Sequence, residues 1–569
     1  MSHKLKSSCR NTSTIRLIIC SLFLGTAFAS ANAVGQYISS GTGGFSSILI
    51  SFFPAFLLTF CVSVILLYGY DPLLTALQNC KLSNKIKIIF QKKWFFPLTW
   101  LFLFLMWLPG LLASYPGVYV IDNVFQIQWF MQGTISAHHP IIHTYLLGGL
   151  VTLGKTLFGS YEAGMCMYCV LQMIILSGIF AYTINSLKER IPSLILALCL
   201  LLYAFLPCHT ISSFTATKDI IYSGLFLLIV LKTWDMVMDQ EAFFRSWKKP
   251  AEYVILVFLS CCFRNTGIYI FICSIPILWI VCRKWWKRVL AIFLSCLLLW
   301  GIFTGPVYNI LGAAKGSSAE MLSVPMQQMA LALLVSEERD SQSSLSSSDA
   351  KMIKDYIPDY QKYEARVADP VKDTFNTELF SQNPSSFIKL WLKTGLAFPL
   401  EYIGAFFYLN MGFWYVSMKL PDPGTYLAYI PYRNADSGQV GVIPGKTVYL
   451  ERTSLLPGLT TFYEKYVEDG GFQNIPVLSL FYSSAFYFWL ICFGIILCIY
   501  KKRYRMAAPF ALLAILWLTL MVSPVVVFRY AYPLAVCFPV ILGMMAEPVA
   551  FSPTSAKIKT MNRSTDSRM

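Results

Sequence analysis

The chain has 569 residues, of which 56% are hydrophobic and only 13% are charged. A water-soluble protein of this length carries about twice that charged fraction, and a disordered chain is far less apolar. Both classes are therefore excluded, and the composition predicts an all-α polytopic membrane protein. The formal net charge of +16 does not indicate nucleic-acid binding, because most basic residues lie in short loops between apolar runs. Most of the 16 cysteines lie inside those runs, where cysteine behaves as a small hydrophobe.

About twelve apolar runs are long enough to cross a membrane as helices, since a span needs about 20 apolar residues. A thirteenth run, at 139–153, is shorter and contains His143, so we interpret it as an interfacial or re-entrant segment. The predicted spans are 14–33, 46–69, 95–113, 163–185, 192–212, 219–235, 250–265, 267–282, 288–309, 476–499, 506–523 and 525–546.

The first apolar run also has features of a secretory signal. It follows three basic residues and ends in Ala31-Asn32-Ala33, a pattern of small residues that is typical of cleavage sites. We favour an uncleaved first span over a cleaved signal. Under both interpretations residue 34 lies outside the cell.

Basic residues predict which side of the membrane each loop occupies, because lysine and arginine are enriched in cytoplasmic loops. With the spans above, every basic cluster falls on the same side, which we assign to the cytoplasm. Both termini are then cytoplasmic, and the protein is predicted to lie in the cell membrane. The clusters are 81–93, 188–190, 245–249, 283–288, 501–505 and the tail 557–563.

The predicted spans divide the chain into four parts. They are an N-terminal transmembrane module, an extracytoplasmic segment, three C-terminal transmembrane helices and a cytoplasmic tail. No internal repeat is evident, which argues against a transporter built from two matched halves. The parts are 1–309 with its first outer loop 114–162, then 310–475, 476–546 and 547–569. Within the extracytoplasmic segment, 384–410 and 411–430 are predicted as interfacial helices.

Charged residues at the outer ends of spans are candidates for function, because burying charge in a membrane is costly. Arginine gives bidentate contacts to phosphate oxygens, lysine gives a point charge, and a carboxylate can act as a general base. Together they predict a site for a lipid-linked phosphate at the outer membrane interface. In the simpler alternative, the arginines reach the interface only for solvation. The charged candidates are Asp122, Lys218, Asp219, Arg264 and Arg529, and the polar Asn265 lies beside Arg264.

Four of the five histidines also fall on the predicted outer side: His138, His139, His143 and His209. His139 and His143 are four residues apart, a helical spacing that can hold a metal, and Asp122 is a candidate third ligand. A divalent ion such as Mg or Mn is the expected metal. In the simpler interpretation, His143 is a polar residue that faces an aqueous cavity. No Walker motif is present, so the energy for a reaction would come from an activated substrate.

Several short segments, spread over about 110–535, resemble the GT-C glycosyltransferases. More closely, they resemble multi-pass membrane proteins of Gram-positive bacteria that we associate with that superfamily. The segments are Pro116-Gly117 through Asp122 and Gln126, His139-Pro140, Thr217-Lys218-Asp219, Phe263-Arg264-Asn265-Thr266-Gly267, Val324-Pro325-Met326-Gln327-Gln328, Gly412-Phe413-Trp414-Tyr415 and Phe528-Arg529-Tyr530.

The resemblance implies a GT-C-like fold and a set of site residues. Asp122 would be the catalytic or metal-binding acid of the first outer loop. Lys218, Arg264 and Arg529 would bind the phosphate of a polyprenyl carrier. Many GT-C enzymes have two adjacent acids in that loop, whereas Asn123 follows here, which weakens the metal role more than the base role. The supporting residues would be Asp219, Asn265, Gln126, His139 and His143.

We therefore expect a glycosyltransferase that moves a sugar from a polyprenyl-phosphate lipid to a glycan or another cell-envelope acceptor outside the membrane. Trp414 and Tyr415 are predicted to bind the acceptor, although aromatic residues at that depth also form interfacial belts. One alternative is a glycan polymerase or ligase with a polyprenyl-diphosphate donor, which would use His139, His143 and His209. Another is a lipid or solute flippase.

Overall fold

The computed structural model describes residues 2–40, 45–314, 316–338, 345–419, 432, 439–443 and 446–546. Up to residue 302, helices are the only regular secondary structure within these ranges. The helices are α1 (Ser2–Ser40), α2 (Phe45–Asn79), α3 (Lys81–Phe90), α4 (Phe95–Ala113), α5 (Ile121–Gln132), α6 (Ile141–Phe158), α7 (Tyr161–Leu187), α8 (Ser193–Phe205), α9 (Pro207–Ser213), α10 (Lys218–Met238), α11 (Gln240–Phe244), α12 (Lys248–Phe263), α13 (Gly267–Val281) and α14 (Trp286–Ile302).

The C-terminal part adds further helices and one short antiparallel hairpin, so the fold is mainly rather than entirely α-helical. The strands are β1 (Gln439–Ile443) and β2 (Lys446–Tyr449). The helices are α15 (Tyr308–Ile310), α16 (Ser323–Glu338), α17 (Ser347–Tyr356), α18 (Asp369–Lys372), α19 (Thr377–Gln382), α20 (Pro384–Ala397), α21 (Pro399–Asn410), α22 (Pro457–Tyr463), α23 (Ser484–Tyr500), α24 (Ala507–Leu520), α25 (Phe528–Val536) and α26 (Phe538–Ala546).

Among the described residues, eight helices are long and apolar enough to cross a membrane, or nine if the bent pair α8–α9 counts as one span. The prediction of a polytopic helical membrane protein is therefore confirmed. The predicted span 95–113 coincides with α4, because the apolar run and the helix have the same ends. By contrast, α2 continues ten residues beyond its predicted end at 69, since polar residues after the apolar run still extend the helix.

The predicted span 192–212 is divided into α8 and α9, which meet at an angle of 50°. Leu206 between them is extended, with φ −68° and ψ 119°. Proline disfavours helical backbone in the preceding residue, and Pro207 can begin a helix because its missing N–H is not needed there. The bend therefore follows from Pro207.

Helix α6 begins and ends at the same end of the bundle, although its 18 residues are enough to cross a membrane. Two contacts show that α7 and α10 run parallel. The Arg190–Asp235 ion pair joins their C-terminal ends, and Gly224 lies against Ile179 closer to their N-termini. α6 starts beside the N-terminus of α10, where His139 contacts Lys218, and it ends next to the N-terminus of α7. By length and composition, however, α6 counts among the candidate spans, so the interpretation of 139–153 as an interfacial or re-entrant segment stays a prediction.

Helices α16 to α21 form a unit with its own hydrophobic core, which includes Met329, Tyr356 and Phe387. The predicted interfacial segment 384–410 corresponds to α20 and α21, and both helices carry leucines on an exposed face. The predicted helix 411–430 is wrong in its described part, where only a 3₁₀ turn at Met411–Phe413 forms; residues 420–430 lie outside the described residues.

Two short backbone contacts join the α16–α21 unit and the segment before it to the membrane bundle. Ala137 donates its N–H to the carbonyl of Ala314 at 2.7 Å, beside the turn that carries His138 and His139. Ala368 donates its N–H to the carbonyl of Pro524 at 2.8 Å, just before α25. The unit is therefore attached next to the end of the bundle where α5, α10 and α25 begin.

Candidate functional site

The N-termini of α5 and α10 are held side by side by backbone hydrogen bonds. Val118 donates its N–H to Phe214 O at 3.0 Å, and Ala216 donates its N–H to Val118 O at 2.8 Å. Gly117 has φ +129°, and a Cβ atom there would lie 2.3 Å from the sulfur of Cys169. Glycine is therefore required for this close approach. As a result, Asp122 in the first turn of α5 lies beside Lys218, the first residue of α10.

Six of the predicted site residues converge at this end of the bundle. Lys218 Nζ lies 3.1 Å from Asp122 Oδ2 and 2.9 Å from His139 Nδ1. Arg529 approaches the same carboxylate oxygen at 3.5 Å. Since an ammonium group only donates, His139 Nδ1 must accept, and the ring proton lies on Nε2. We call the following group the Asp122 cluster: Asp122, His139, Lys218, Asp219, Arg264 and Arg529.

Arg264 joins the cluster through a second carboxylate and a shared aromatic ring. It follows the end of α12 in an extended conformation, and its NH1 lies 3.1 Å from Asp219 Oδ1. The guanidinium carbons of Arg264 and Arg529 lie 5.3 Å and 5.2 Å from the ring centroid of Tyr530. Such contacts are attractive because the face of an aromatic ring carries negative charge. Tyr530 thus holds two like charges close together.

Burial and charge fix the protonation states at the cluster. Burial alone would raise the pKa of Asp122, but the charges of Lys218 and Arg529 hold that pKa well below its usual range. Burial and the neighbouring Lys218 lower the pKa of His139 to about 2, so its ring is neutral at physiological pH. Three cationic side chains then face two carboxylates, which leaves a net charge of +1. The cluster is therefore suited to binding an anion.

The cations of the cluster remain accessible in part. The exposed fractions of the side chains of Lys218, Arg264 and Arg529 are 17%, 14% and 16%, and that of Asp122 is 19%. A small anion can therefore reach them without unfolding the surrounding helices. The packed aromatic and aliphatic neighbours reduce the local dielectric constant, which strengthens the attraction of each cation for that anion.

A second row of polar side chains supports the cluster from inside. His143 Nδ1 lies 3.0 Å from Gln126 Oε1, and His143 Nε2 lies 2.8 Å from the Tyr168 hydroxyl. Tyr168 also contacts Gln172, whose amide donates to the carbonyls of Ser212, Ser213 and Thr215. Gln126 follows Asp122 by one turn of α5, and His143 lies in the first turn of α6, four residues after His139. The network therefore fixes α5, α6 and α7 relative to the turn before Lys218.

The predicted metal site on Asp122, His139 and His143 is not formed. Among the described residues, no group of three His, Cys, Asp or Glu side chains is placed to hold a metal. Both nitrogens of His143 are already used by Gln126 and Tyr168, and the Lys218 ammonium lies between Asp122 and His139. A cation at that position would be repelled by Lys218.

The predicted acceptor residues lie elsewhere. Trp414 and Tyr415 are buried in the main core, where Tyr415 packs against Gly35 of α1 and the Trp414 indole donates to Asn410. No contact among the described residues joins them to the Asp122 cluster, and their role in acceptor binding stays a prediction. His209 is also buried, with Nδ1 3.1 Å from the Tyr532 hydroxyl.

Other residues of the site were missed by sequence reasoning. Tyr222 and Tyr530 flank Arg264, while Tyr168 and Gln172 build the second row. Tyr530 had a usable signal, because it directly follows Arg529 in the sequence. Tyr168 and Gln172 lie inside an apolar run and had no signal beyond their polarity. Asn265 was predicted, and its amide donates to Ala137 O at 3.3 Å, which links the Arg264 turn to the histidine turn.

The fold and the site define a class of protein: a polytopic helical membrane protein with a net cationic site at one end of its bundle. Residues 130–558 match the model of a family described as "Family of unknown function (DUF6020)". Since this match covers well over half of the chain, the chain belongs to that family. No curated protein and no solved structure matches the chain.

Proposed function

We propose that this protein is a membrane glycosyltransferase that transfers a sugar from a polyprenyl-phosphate carrier to an acceptor on the outer face of the cell membrane. The observation that carries the proposal is the Asp122 cluster, which combines three cations and two carboxylates at the ends of apolar helices. A phosphate linked to a lipid chain lies at that depth of a membrane. The GT-C-like architecture belongs to this proposal, as does the cell-envelope glycan as acceptor.

The proposal includes twelve membrane crossings. We exclude α6 from the eight long apolar helices, because it begins and ends at the same end of the bundle, and add the bent pair, three shorter apolar helices and α12, which gives twelve. The shorter helices are Gly267–Val281, Ser484–Tyr500 and Tyr504–Leu520. An even number of crossings supports termini on one side.

Contacts between loops support the proposed orientation. Three basic loops are tied to neighbouring helix ends far from Asp122. Arg190 pairs with Asp235, Arg288 donates to Phe244 O, and Lys501 pairs with Asp71. A basic end of this kind is typical of the cytoplasmic side. The Asp122 cluster, which lies at the other end, would then face the outside.

In the proposed reaction, the carrier phosphate binds to Lys218, Arg264 and Arg529. The acceptor hydroxyl attacks the anomeric carbon of the sugar, and the bond from that carbon to the phosphate oxygen breaks. The three cations stabilise the negative charge that develops on the leaving phosphate, an effect of about 3–4 kcal/mol for a well-placed group. Asp122 accepts the proton of the acceptor hydroxyl.

In this proposal, Asp122 becomes an effective base only when the donor is bound. In the free protein, two cations hold its pKa low, and a carboxylate with a low pKa is a weak base. A bound phosphate competes for Lys218 and Arg529, so the pKa of Asp122 rises toward its ordinary value. Proton transfer to Asp122 would then depend on donor binding, and without a donor the carboxylate would stay ionised.

A second candidate is a glycan polymerase or ligase that uses a polyprenyl-diphosphate donor. The observation that favours it is the direct contact of His139 with Lys218, which places an imidazole in the cluster. Of the other two histidines considered for this role, His143 is bonded to Gln126 and Tyr168, and His209 is bonded to Tyr532. Of the three histidines considered for this role, only His139 is thus in contact with the cluster and available for the chemistry, which makes this the weaker candidate.

An Asp122→Asn replacement in the native host tests the proposal. If Asp122 is the base, the donor glycolipid accumulates in the variant, and mass spectrometry of extracted membrane lipids detects it. A His139→Gln replacement that causes the same accumulation, while Asp122→Asn has no effect, would favour the ligase. Unchanged glycolipids and unchanged envelope glycans in both variants would overturn both candidates.

A further inference from the structure

Three oxygen atoms next to Arg264 are buried and have no hydrogen-bond partner within the described residues. They are Thr217 Oγ1, Asp219 Oδ2 and Asn265 Oδ1. The residues Thr217 and Asp219 are only 2% and 1% exposed. Buried polar atoms are almost always hydrogen-bonded, so three unpartnered oxygens in two neighbouring turns require an explanation. A bound ligand that supplies hydrogen-bond donors would be such an explanation.

Asp219 and Asn265 each make one side-chain contact, and in each residue one side-chain oxygen has no hydrogen-bond partner. Asp219 binds Arg264 through Oδ1, and Asn265 donates its amide to Ala137 O, which leaves its carbonyl oxygen. Thr217 precedes α10 as its N-cap residue, yet its side chain makes no capping hydrogen bond. By contrast, the hydroxyl of Thr233 further along the same helix donates to Ile229 O at 2.8 Å. Other buried side-chain atoms without a partner occur elsewhere in the described residues, such as Thr394 Oγ1 and Ser484 Oγ, but these three oxygens lie in the two turns that the Asp219–Arg264 ion pair joins.

The chemistry of these oxygens selects the ligand. A carboxylate oxygen and an amide carbonyl only accept hydrogen bonds, whereas the threonine hydroxyl both donates and accepts. A phosphate has no donors at neutral pH and would be repelled by Asp219. Neighbouring hydroxyl groups can donate to Asp219 and Asn265 and also accept from Thr217. A polyhydroxylated ring is thus the class of ligand that fits all three.

We propose that Thr217, Asp219 and Asn265 form a hydroxyl-binding subsite that recognises the sugar of a phosphate-linked sugar lipid. The inference rests on the proposed function, because the adjoining cations are taken to bind the phosphate. Arg264 connects the two parts, since it contacts Asp219 and belongs to the cationic group. The subsite makes the protein prefer a glycosylated carrier to the bare carrier. Loss of one hydrogen bond to a charged group would weaken binding by about tenfold or more.

The test measures binding of two kinds of probe to the full chain in nanodiscs by isothermal titration calorimetry. One probe is farnesyl phosphate, and the others are its glucose, galactose, mannose and arabinose esters. In the parent protein, at least one ester should bind about tenfold more tightly than farnesyl phosphate. Thr217→Val, which is nearly isosteric, and Asp219→Asn should remove that preference. The matched control Thr233→Val should keep it.

The outcomes separate this inference from the proposed function. Farnesyl phosphate affinity serves as the folding control for Thr217→Val and should change less than about twofold. Equal binding of farnesyl phosphate and every ester by the parent would overturn the subsite but leave the phosphate site standing. A preference that survives in both variants would also overturn it and assign the three oxygens to water. A parent that binds none of the probes would overturn the proposed function together with the subsite.

Discussion

Replacement of Asp122 by asparagine should strengthen phosphate binding while it abolishes transfer. The carboxylate lies 3.1 Å from Lys218 and 3.5 Å from Arg529, so it competes with an incoming phosphate for both cations. Removal of its charge raises the net charge of the cluster from +1 to +2, by the count of three cations against one remaining carboxylate. Since the phosphate replaces much of the lost attraction, we expect a net gain of about 1.4 kcal/mol, roughly a tenfold tighter Kd.

The same variant should be less stable without ligand, because three cations would then face only Asp219. Loss of one partner of a buried ion pair costs about 3–5 kcal/mol, and the partial exposure of these side chains reduces this to about 2 kcal/mol. Farnesyl phosphate binding, measured by calorimetry, and thermal unfolding in nanodiscs give both quantities. The matched control is Glu252→Gln, which breaks the 3.2 Å pair with Lys232 about 21 Å further along α10. Weaker or unchanged phosphate binding in Asp122→Asn would refute the reasoning.

Three further predictions concern pH, packing and the membrane surface. The pKa of His139 is about 2 in the folded protein, so below about pH 6.5 the imidazole binds a proton in the unfolded chain but not in the folded chain. The free energy of unfolding therefore decreases as the pH is lowered from about 6.5. Thermal unfolding should show a loss of about 2 kcal/mol between about pH 6.5 and pH 5, and His139→Gln should remove it; an unchanged slope would contradict this. Gln172→Leu removes a side-chain donor from three backbone carbonyls, of which Ser212 O and Thr215 O keep backbone N–H donors. The replacement should cost about 1–3 kcal/mol, whereas equal melting temperatures of variant and parent would show that the network is dispensable. Leu396 and Leu400 are 87% and 77% exposed, and we expect them to lie on the membrane surface. Their replacement by serine should speed hydrogen exchange of α20–α21 in nanodiscs but not in detergent. Equal exchange rates of variant and parent in nanodiscs would place this face in water.

The membrane helices could be predicted because apolar runs of sufficient length have few alternatives to a membrane span. The ends were predictable where composition changes sharply, as at α4, and less so where a polar stretch remains helical, as in α2. Segment 411–430 shows the limit of this reasoning. Its aromatic residues are apolar enough for an interfacial helix, yet Trp414 and Tyr415 are buried as part of the main core. Hydropathy records that a residue avoids water, and it does not distinguish lipid from protein interior.

The membership of the Asp122 cluster could be predicted from charge near span ends, because such charges are costly without a partner. The pairing within the cluster could not be predicted. Residues 122, 218, 264 and 529 are far apart in sequence, and only the packed bundle determines that Lys218 and Arg529 share one carboxylate while Arg264 has another. For the same reason, the spacing of His139 and His143 suggested a metal site, whereas the tertiary structure places Lys218, Gln126 and Tyr168 around them.

Native mass spectrometry of the purified protein tests the central claim most directly. The parent would be compared with the double variant Arg264→Ala/Arg529→Ala, and Lys232→Ala would serve as a control because its charge lies far from the cluster. The account predicts that the parent and the control carry a polyprenyl phosphate or its glycoside, and that the double variant carries none. The mass of the bound lipid would also identify the class of sugar. A parent that carries no such lipid even after the carrier is added, or a double variant that retains it, would contradict the account.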